Sequence, residues 1–412
     1  MAQPSTTVEI GFEAPSSSAF TLDDSVRGLL DGSFGLGGPV LTDVTSFVRG
    51  VTVRRGKSRI LDNKFQAGIA SIQLDNRART FDPTFSAGPY FSQIQPRRDV
   101  LIETAGSAVY RGEIKGWEFD YVKGGDALAI IEAADAFAVF SNQTLSTNFT
   151  PIAQSAGDRI EAVLDRQEVG WGGARSIAAG LSTLQADTIS ANQNVLNYLQ
   201  LIEAGEPGAF FVAKDGTVTF EPRNQTPTQY TTFSFSDDGD STAIQYVDIQ
   251  TDFTDELVFN RVSVTRKNGT EQVVESATSQ AIYGVSTLTV SDLLLSTDAQ
   301  SLNLANLLLG LFSEAQLRFK QVTVALHDLS PAKQGQVLGL ELNDVVKVEF
   351  LPGRGFNAVG SAIEKFAFIE GISHNIGIDQ HFISFQLAST DIALLVLDDT
   401  LFGILDTNLL GY

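Results

Sequence analysis

The stretch DVLIETAGSAVYRGEIKGWEFDYVKGGDALAIIEAAD, residues Asp99–Asp135, decides the fold. Apolar and polar residues alternate along DVLIETAG, SAVYRGEIKGWEFDYV and DALAIIEAAD, which is the period of a β-strand. The intervening KGGD supplies glycines for a tight turn. A second stretch repeats the order of pieces. DVVKVE (Asp344–Glu349) precedes FIEGISHNIG, then a turn, then a strand closing in ASTD at Asp391. Gly112 and Ile114 have near counterparts in Gly371 and Ile372, and the second copy carries the longer loop LPGRGFNAVGSAIEK. The expectation is a mainly β protein with an α/β insert, in which two related β-barrel domains flank a small α/β domain.

Working outward, SFVRGVTVRRG and AGIASIQLDN read as further strands, so residues 1–145 form one β domain. Pro83, Pro89 and Pro96 fall between strands, where a missing N–H is harmless. The loop they punctuate carries Phe85, Tyr90 and Phe91 as expected surface aromatics. From Asn148 the period becomes helical, with Ile160, Val163 and Leu164, then Val195, Leu196, Leu199 and Ile202. Asn192 or Asn194 is a cap for the second helix and Gly205 its stop. A hairpin closed by Asp215-Gly216 follows, giving an α/β domain over 146–240. Strands resume over 241–396, with a hairpin turning at Asn268-Gly269. One helical segment, Thr297–Arg318, has Leu302, Ala305, Leu309 and Phe312 on one face. Residues 397–412 remain as a C-terminal arm.

Composition narrows the function. With 28 Lys and Arg against 49 Asp and Glu, the net charge is −21. That argues against sequence-specific reading of nucleic acid, where a basic surface supplies most of the affinity. There is no cysteine, hence no disulfide or thiol chemistry. No apolar run reaches the roughly 18 to 20 residues of a membrane span, and no secretion signal opens the chain. The expectation is a soluble protein made in the cytoplasm. His374, Asp379 and His381 are close enough in sequence to suggest a metal site, but they flank a hairpin turn on strands whose polar residues are expected to face outward. The run GSFGLGGP lacks the Lys-Ser/Thr of a phosphate loop. The acidic clusters at Asp23-Asp24, Asp237-Asp238-Asp240 and Asp398-Asp399 fit neither a calcium loop nor a defined glycosidase pair, and read as polar turns. The sequence therefore assigns no catalytic, cofactor or metal residue, and nothing in it argues for an enzyme.

LLDGSFGLGG, DVTSFVRGVTVRRGKSR, AGIASIQLDNRARTFDPTFSAGPYF and PRRDVLIETAGSAVYRGEIKGWEFDY resemble the minor tail proteins of long-tailed, siphovirus-type actinobacterial phages. The phrase LDNRxRxFDP, Leu74–Pro83, is the most specific part. NRVSVTRKNG, SQAIYG, TDAQSLNLANLLL and RFKQVTVAL resemble the baseplate hub proteins that plug the distal end of phage tails. The resemblance implies two related barrels per chain and a homotrimer whose six barrels form a pseudo-sixfold ring. It implies as partners the distal tail protein ring, the tape measure protein and other tail-tip proteins. It places the protein at the virion tail tip, with a lumen for tape measure and DNA exit. Because the chain stops at Tyr412, receptor-binding or peptidoglycan-cleaving parts are expected on other tip proteins.

The phrase LDDSVRGLLD (Leu22–Asp31) returns as LDDTLFGILD (Leu397–Asp406). Both lie outside the strands traced above, and apolar arms without a core seek a partner surface. Leu22, Asp23, Asp24, Leu29 and Leu30, with Leu397, Leu401, Phe402, Leu409, Leu410 and Tyr412, are the candidate interaction residues, beside the aromatic loop. A ring-forming distal-tail-like adaptor and a carbohydrate-binding tip module are the alternative readings.

Overall fold

A computed structural model describes residues 3–12, 41–57, 64–206, 208–222, 233–239, 242–353 and 361–389. The N-terminal part contains β1 (Thr6–Ile10), β2 (Thr42–Asp43), β3 (Val48–Gly56), β4 (Gln66–Asp75), β5 (Asp99–Thr104), β6 (Ser107–Tyr121) and β7 (Ala127–Ala134). Alternation sets their faces: Val100 and Ile102 of β5 point inward, as do Ile72 and Leu74 of β4. The strands pair antiparallel in the order β3-β4-β7-β6-β5, with β1 added outside β5 and β2 outside β1.

The middle part holds α1 (Ala136–Ser141), β8 (Gln154–Ser155), α2 (Ala156–Leu164), β9 (Arg175–Ile177), β10 (Thr183–Leu184), α3 (Val195–Gly205), β11 (Ala209–Val212) and β12 (Val218–Glu221). Asn194 caps α3 by accepting from the Asn197 N–H, which decides between the two asparagines proposed from sequence. β11 and β12 form the hairpin turned at Asp215-Gly216, where Gly216 has φ +90°. β9 joins β12 in parallel.

The remainder contains β13 (Ser234–Ser236), β14 (Ile244–Gln245), β15 (Asp248–Asp252), β16 (Arg261–Arg266), β17 (Gln272–Glu275), α4 (Ala277–Tyr283), β18 (Thr287–Leu293), α5 (Asp298–Phe312), β19 (Arg318–Ala325), α6 (Pro331–Gly339), β20 (Val345–Phe350), β21 (Ile363–Ile376) and β22 (His381–Ser389). Here the antiparallel order is β15-β19-β22-β21-β20. In chain order, both sets run first-second-fifth-fourth-third. The same five-strand pattern occurs twice.

The two sets match residue by residue at one place. Ile114 N–H donates to the Arg98 carbonyl while its own carbonyl accepts from Arg97 N–H. Ile369 does the same with Asp344 and Asn343. One residue later each long strand bulges, between Ile114 and Gly116 in β6 and between Ile369 and Gly371 in β21. The counterpart of Gly371 is therefore Gly116. The sequence alignment of Gly112 and Ile114 with Gly371 and Ile372 is out of step, because a bulged residue leaves no mark on the apolar alternation.

Two further expectations are corrected. Among the described residues neither set closes into a barrel; both belong to one open 14-stranded sheet, joined where β3 pairs with β21. The hairpin turning at Asn268-Gly269, placed from sequence in the second β unit, instead joins β18 in a separate sheet, β17-β16-β18, covered by α5. Its small core of Val262, Val264, Leu293, Leu295, Leu304 and Ala305 is distinct from the large core shared by the rest of the chain. The buried face of α5 is Ser301, Leu304 and Ala305, while Leu302 is 37% exposed.

Candidate functional site

The seam between β3 and β21 brings together strands far apart in sequence. Its antiparallel register pairs Val51 with Ile376, Val53 with His374, Arg55 with Ile372 and Gly56 with Gly371. Gly56 is required. At Gly56 (φ +95°) a Cβ would overlap the Glu370 carbonyl and lie 2.8 Å from the Gly371 Cα. Just past the seam, Lys57 Nζ meets Glu370 Oε1 at 2.6 Å. Arg55 is buried and donates to Glu341 Oε1 at 2.6 Å. The other oxygen of Glu341 accepts the Lys214 backbone N–H at 2.9 Å, while Lys214 Nζ donates to the carbonyls of Leu338, Gly339 and Leu340 at the end of α6. One carboxylate thus ties β3, the β11–β12 hairpin and the α6–β20 connection together.

β21 uses both of its edges: β22 along one, and β20 followed by β3 along the other. β6 is built likewise but is half open. β7 pairs with it from Glu113 to Tyr121, whereas β5 covers its other edge only as far as Glu113. Among the described residues no strand pairs with that edge from Gly116 to Tyr121. β15, the counterpart of β3, pairs only with β19 and is likewise open on its outer side among the described residues. Large exposed apolar side chains sit at both open edges: Tyr121 (53%) and Val122 (58%) end β6, while Val247 (57%) and Phe253 (68%) flank β15. Sequence alternation alone did not single out these four.

The Leu74–Pro83 phrase folds as a self-bonded loop beside the β6 edge. Asn76 Oδ1 accepts the Phe81 N–H at 2.9 Å, and Arg79 (φ +57°) donates to Asp82 at 2.8 Å. Asp82 also accepts from the Thr84 N–H and hydroxyl, and these bonds hold its carboxyl down at about 2. Phe81 is fully buried within an aromatic stack of Phe12, Tyr90 and Trp117. Asn76, Arg79, Asp82, Phe119 and Tyr121 line an open hollow there.

The aromatic trio expected at the surface separates. Tyr90 stacks on Phe12 with ring centres 3.9 Å apart, Phe85 lies half-buried under the Arg79 guanidinium, and Phe91 is exposed. The three do not form one platform. Leu22, Asp23, Asp24, Leu29, Leu30, Leu397, Leu401, Phe402, Leu409, Leu410 and Tyr412 lie outside the described residues. So do Asp240, Asp391 and the Asp398-Asp399 pair.

The histidines differ from expectation. His374 and His381 point into the core, not outward, with His374 Nδ1 3.0 Å from His381 Nε2. Burial pushes both below the ordinary imidazole value, with His381, Arg55 and Lys214 adding to the effect at His374 and His327 adding to it at His381, which falls to about 4. Among the described residues no three His, Asp or Glu side chains are grouped to hold a metal ion. No described helix is long and apolar enough to cross a membrane.

No protein-family model matches the chain, and none of the curated proteins does. Solved structures do. A tail protein from Neisseria meningitidis aligns over 94% of this chain and 97% of its own, with TM-score 0.58 and 12% identity. The 43 kDa tail protein of prophage MuSo2 from Shewanella oneidensis aligns over 95% and 98%, with TM-score 0.59 and 10% identity. Prophage tail protein gp18 from Listeria monocytogenes aligns over 86% and 93%, with TM-score 0.50 and 10% identity. The chain has the fold of phage tail proteins.

Proposed function

We propose that the chain is a structural protein of a phage-type tail tip. It acts as a homotrimeric hub that caps the tail tube and joins it to the distal tail ring and the other tip proteins. Its lumen passes the tape measure protein and DNA. The observation that carries this reading is the five-strand pattern present twice within one sheet. Two like units per chain give a trimer six like positions, which suits a part between a sixfold tube and a threefold tip. The fold likeness to phage tail proteins over nearly the whole chain supports it, as does the net charge of −21, which keeps a polyanion from adhering in transit. The actinobacterial kinship carried by LDNRxRxFDP belongs to the same proposal, and the role involves no catalytic step. Light scattering of the purified protein across a concentration series tests it. A trimer is expected. Six copies would favour a distal-tail-like adaptor ring. A monomer at every concentration, with a copy number other than three in the intact particle, would overturn the hub.

A further inference from the structure

Exposed apolar side chains gather around the place where the described chain ends. Residues 281–285, Ala-Ile-Tyr-Gly-Val, are all exposed, with Ile282 at 67%, Tyr283 at 41% and Val285 at 68%. They lead from the end of α4 toward β18, and α4 buries only Ser279. This corner is fastened to the end of α5. Ser279 Oγ donates to the Ser313 carbonyl, Asn260 Nδ2 donates to the Gly284 carbonyl, and the Phe259 N–H donates to the Phe312 carbonyl. The Arg318 guanidinium in turn lies over the Phe312 ring, 5.7 Å from its centre. Arg318 opens β19, and the strands on either side of β19 end beside it. On one side Asp252, the last residue of β15, pairs with Arg318 and is followed by Phe253, 68% exposed. On the other side β22 pairs with β19 as far as Gln386 with Gln321. Three residues further in the same register, Ser389 comes level with Arg318.

From this we infer that residues 390–412 dock on the Phe253, Ile282, Tyr283 and Val285 surface of their own chain and cover it. The segment has the matching chemistry. Its runs IALLVL (Ile392–Leu397) and LFGIL (Leu401–Leu405) are apolar, so segment and surface both gain by leaving water together. Its only charged side chains are Asp391, Asp398, Asp399 and Asp406, and the bases Arg318 and Lys320 stand on β19 beside its point of departure. It also has the reach. Residues 390–412 extended span roughly 75 Å at about 3.3 Å per residue, and they begin next to the surface they cover. Such a tether makes the contact intramolecular, at an effective concentration in the millimolar range. A second copy of the segment, at ordinary protein concentrations, does not compete. The occupant is therefore the chain's own C-terminal segment, whatever the number of copies in the assembly.

A photo-crosslinker reads this contact in the full-length chain. The photoreactive residue p-benzoylphenylalanine is placed at Tyr283 or, as a control, at Ile378, which is exposed in the β21–β22 turn at the far end of those strands from Ser389. On irradiation the probe at Tyr283 is expected to attach to a peptide within 390–412, in a product with the mass of one chain on denaturing gels. The probe at Ile378 should reach that peptide at least tenfold less. A second measurement needs no probe. Leu394→Asp together with Leu401→Asp, in the full-length chain, should make amide exchange over 281–286 at least tenfold faster than in the wild type, with β4 and β7 unchanged. Failure of the Tyr283 probe to reach 390–412, links formed chiefly between two chains, or exchange unaltered by the double substitution would each overturn the proposal.

Discussion

At the scale of single residues, the structure concentrates its risk in a few buried charges. Glu341 is the only carboxylate bridged to Arg55 among the ion pairs of the described residues. Glu341→Ala leaves that guanidinium buried and unpaired, and stability should fall by about 3 kcal/mol in a urea titration. Glu203 is a different case. It sits wholly buried on α3 and accepts the Phe210 N–H, and desolvation pushes its pKa up to about 8. Its carboxyl is neutral in the fold at pH 7, whereas in the unfolded chain it ionises above its ordinary value of about 4.3. The unfolded chain therefore holds fewer protons, and this residue's contribution to stability is lost as pH rises from roughly 4 to 8. Glu203→Gln should gain on the wild type across that window, most at pH 8, in paired melts. His374 and His381 act in the opposite sense: neutral when folded, they lose stability as pH falls from about 6.5 toward 4. Neither effect was legible in the sequence. A buried histidine and a surface one look identical when both alternate with apolar neighbours.

At the scale of elements, α5 and the sheet β17-β16-β18 behave as a unit with its own core. α5 starts in a capping box, in which Thr297 Oγ1 accepts the Gln300 N–H and Gln300 Oε1 accepts the Thr297 N–H. Thr297→Ala should cost about 1 kcal/mol. Leu304→Ala opens the small core and should cost about 2–5 kcal/mol. Both losses should appear in hydrogen exchange as faster opening of residues 261–312, with β3, β4 and β21 keeping their protection. Protection lost evenly throughout the chain would show that the unit does not open alone. The helix itself was readable from sequence, since its apolar period and threonine start are local signals. The partition was not. The 261–275 hairpin alternates as the neighbouring strands do, and only its partners, set by the fold, show that it leaves the main sheet.

At the scale of the whole molecule, what was legible is the repetition and what was not is its joinery. DVLIE and DVVKVE, with the pieces after them in the same order, sufficed to propose two like halves around an α/β insert. The true correspondence, Ile114-Lys115-Gly116 with Ile369-Glu370-Gly371, needed the bulges and the paired backbone bonds at each isoleucine. The pairing of β3 with β21 left no local trace, because neither strand's composition names its neighbour. Gly56→Ala introduces a side chain at positive φ against the Glu370 carbonyl, and should lower stability by about 2–3 kcal/mol. Loss of the seam should also lower the multimeric mass in light scattering at a given concentration. The seam has a consequence for synthesis. β3 leaves the ribosome some 300 residues ahead of the strand that covers it, which at ordinary elongation speeds is about 15–60 s. Throughout that interval every nascent chain on a polysome presents the same bare edge. A truncated product ending before residue 363 never covers it, so such fragments should aggregate or draw chaperones while the finished chain does not.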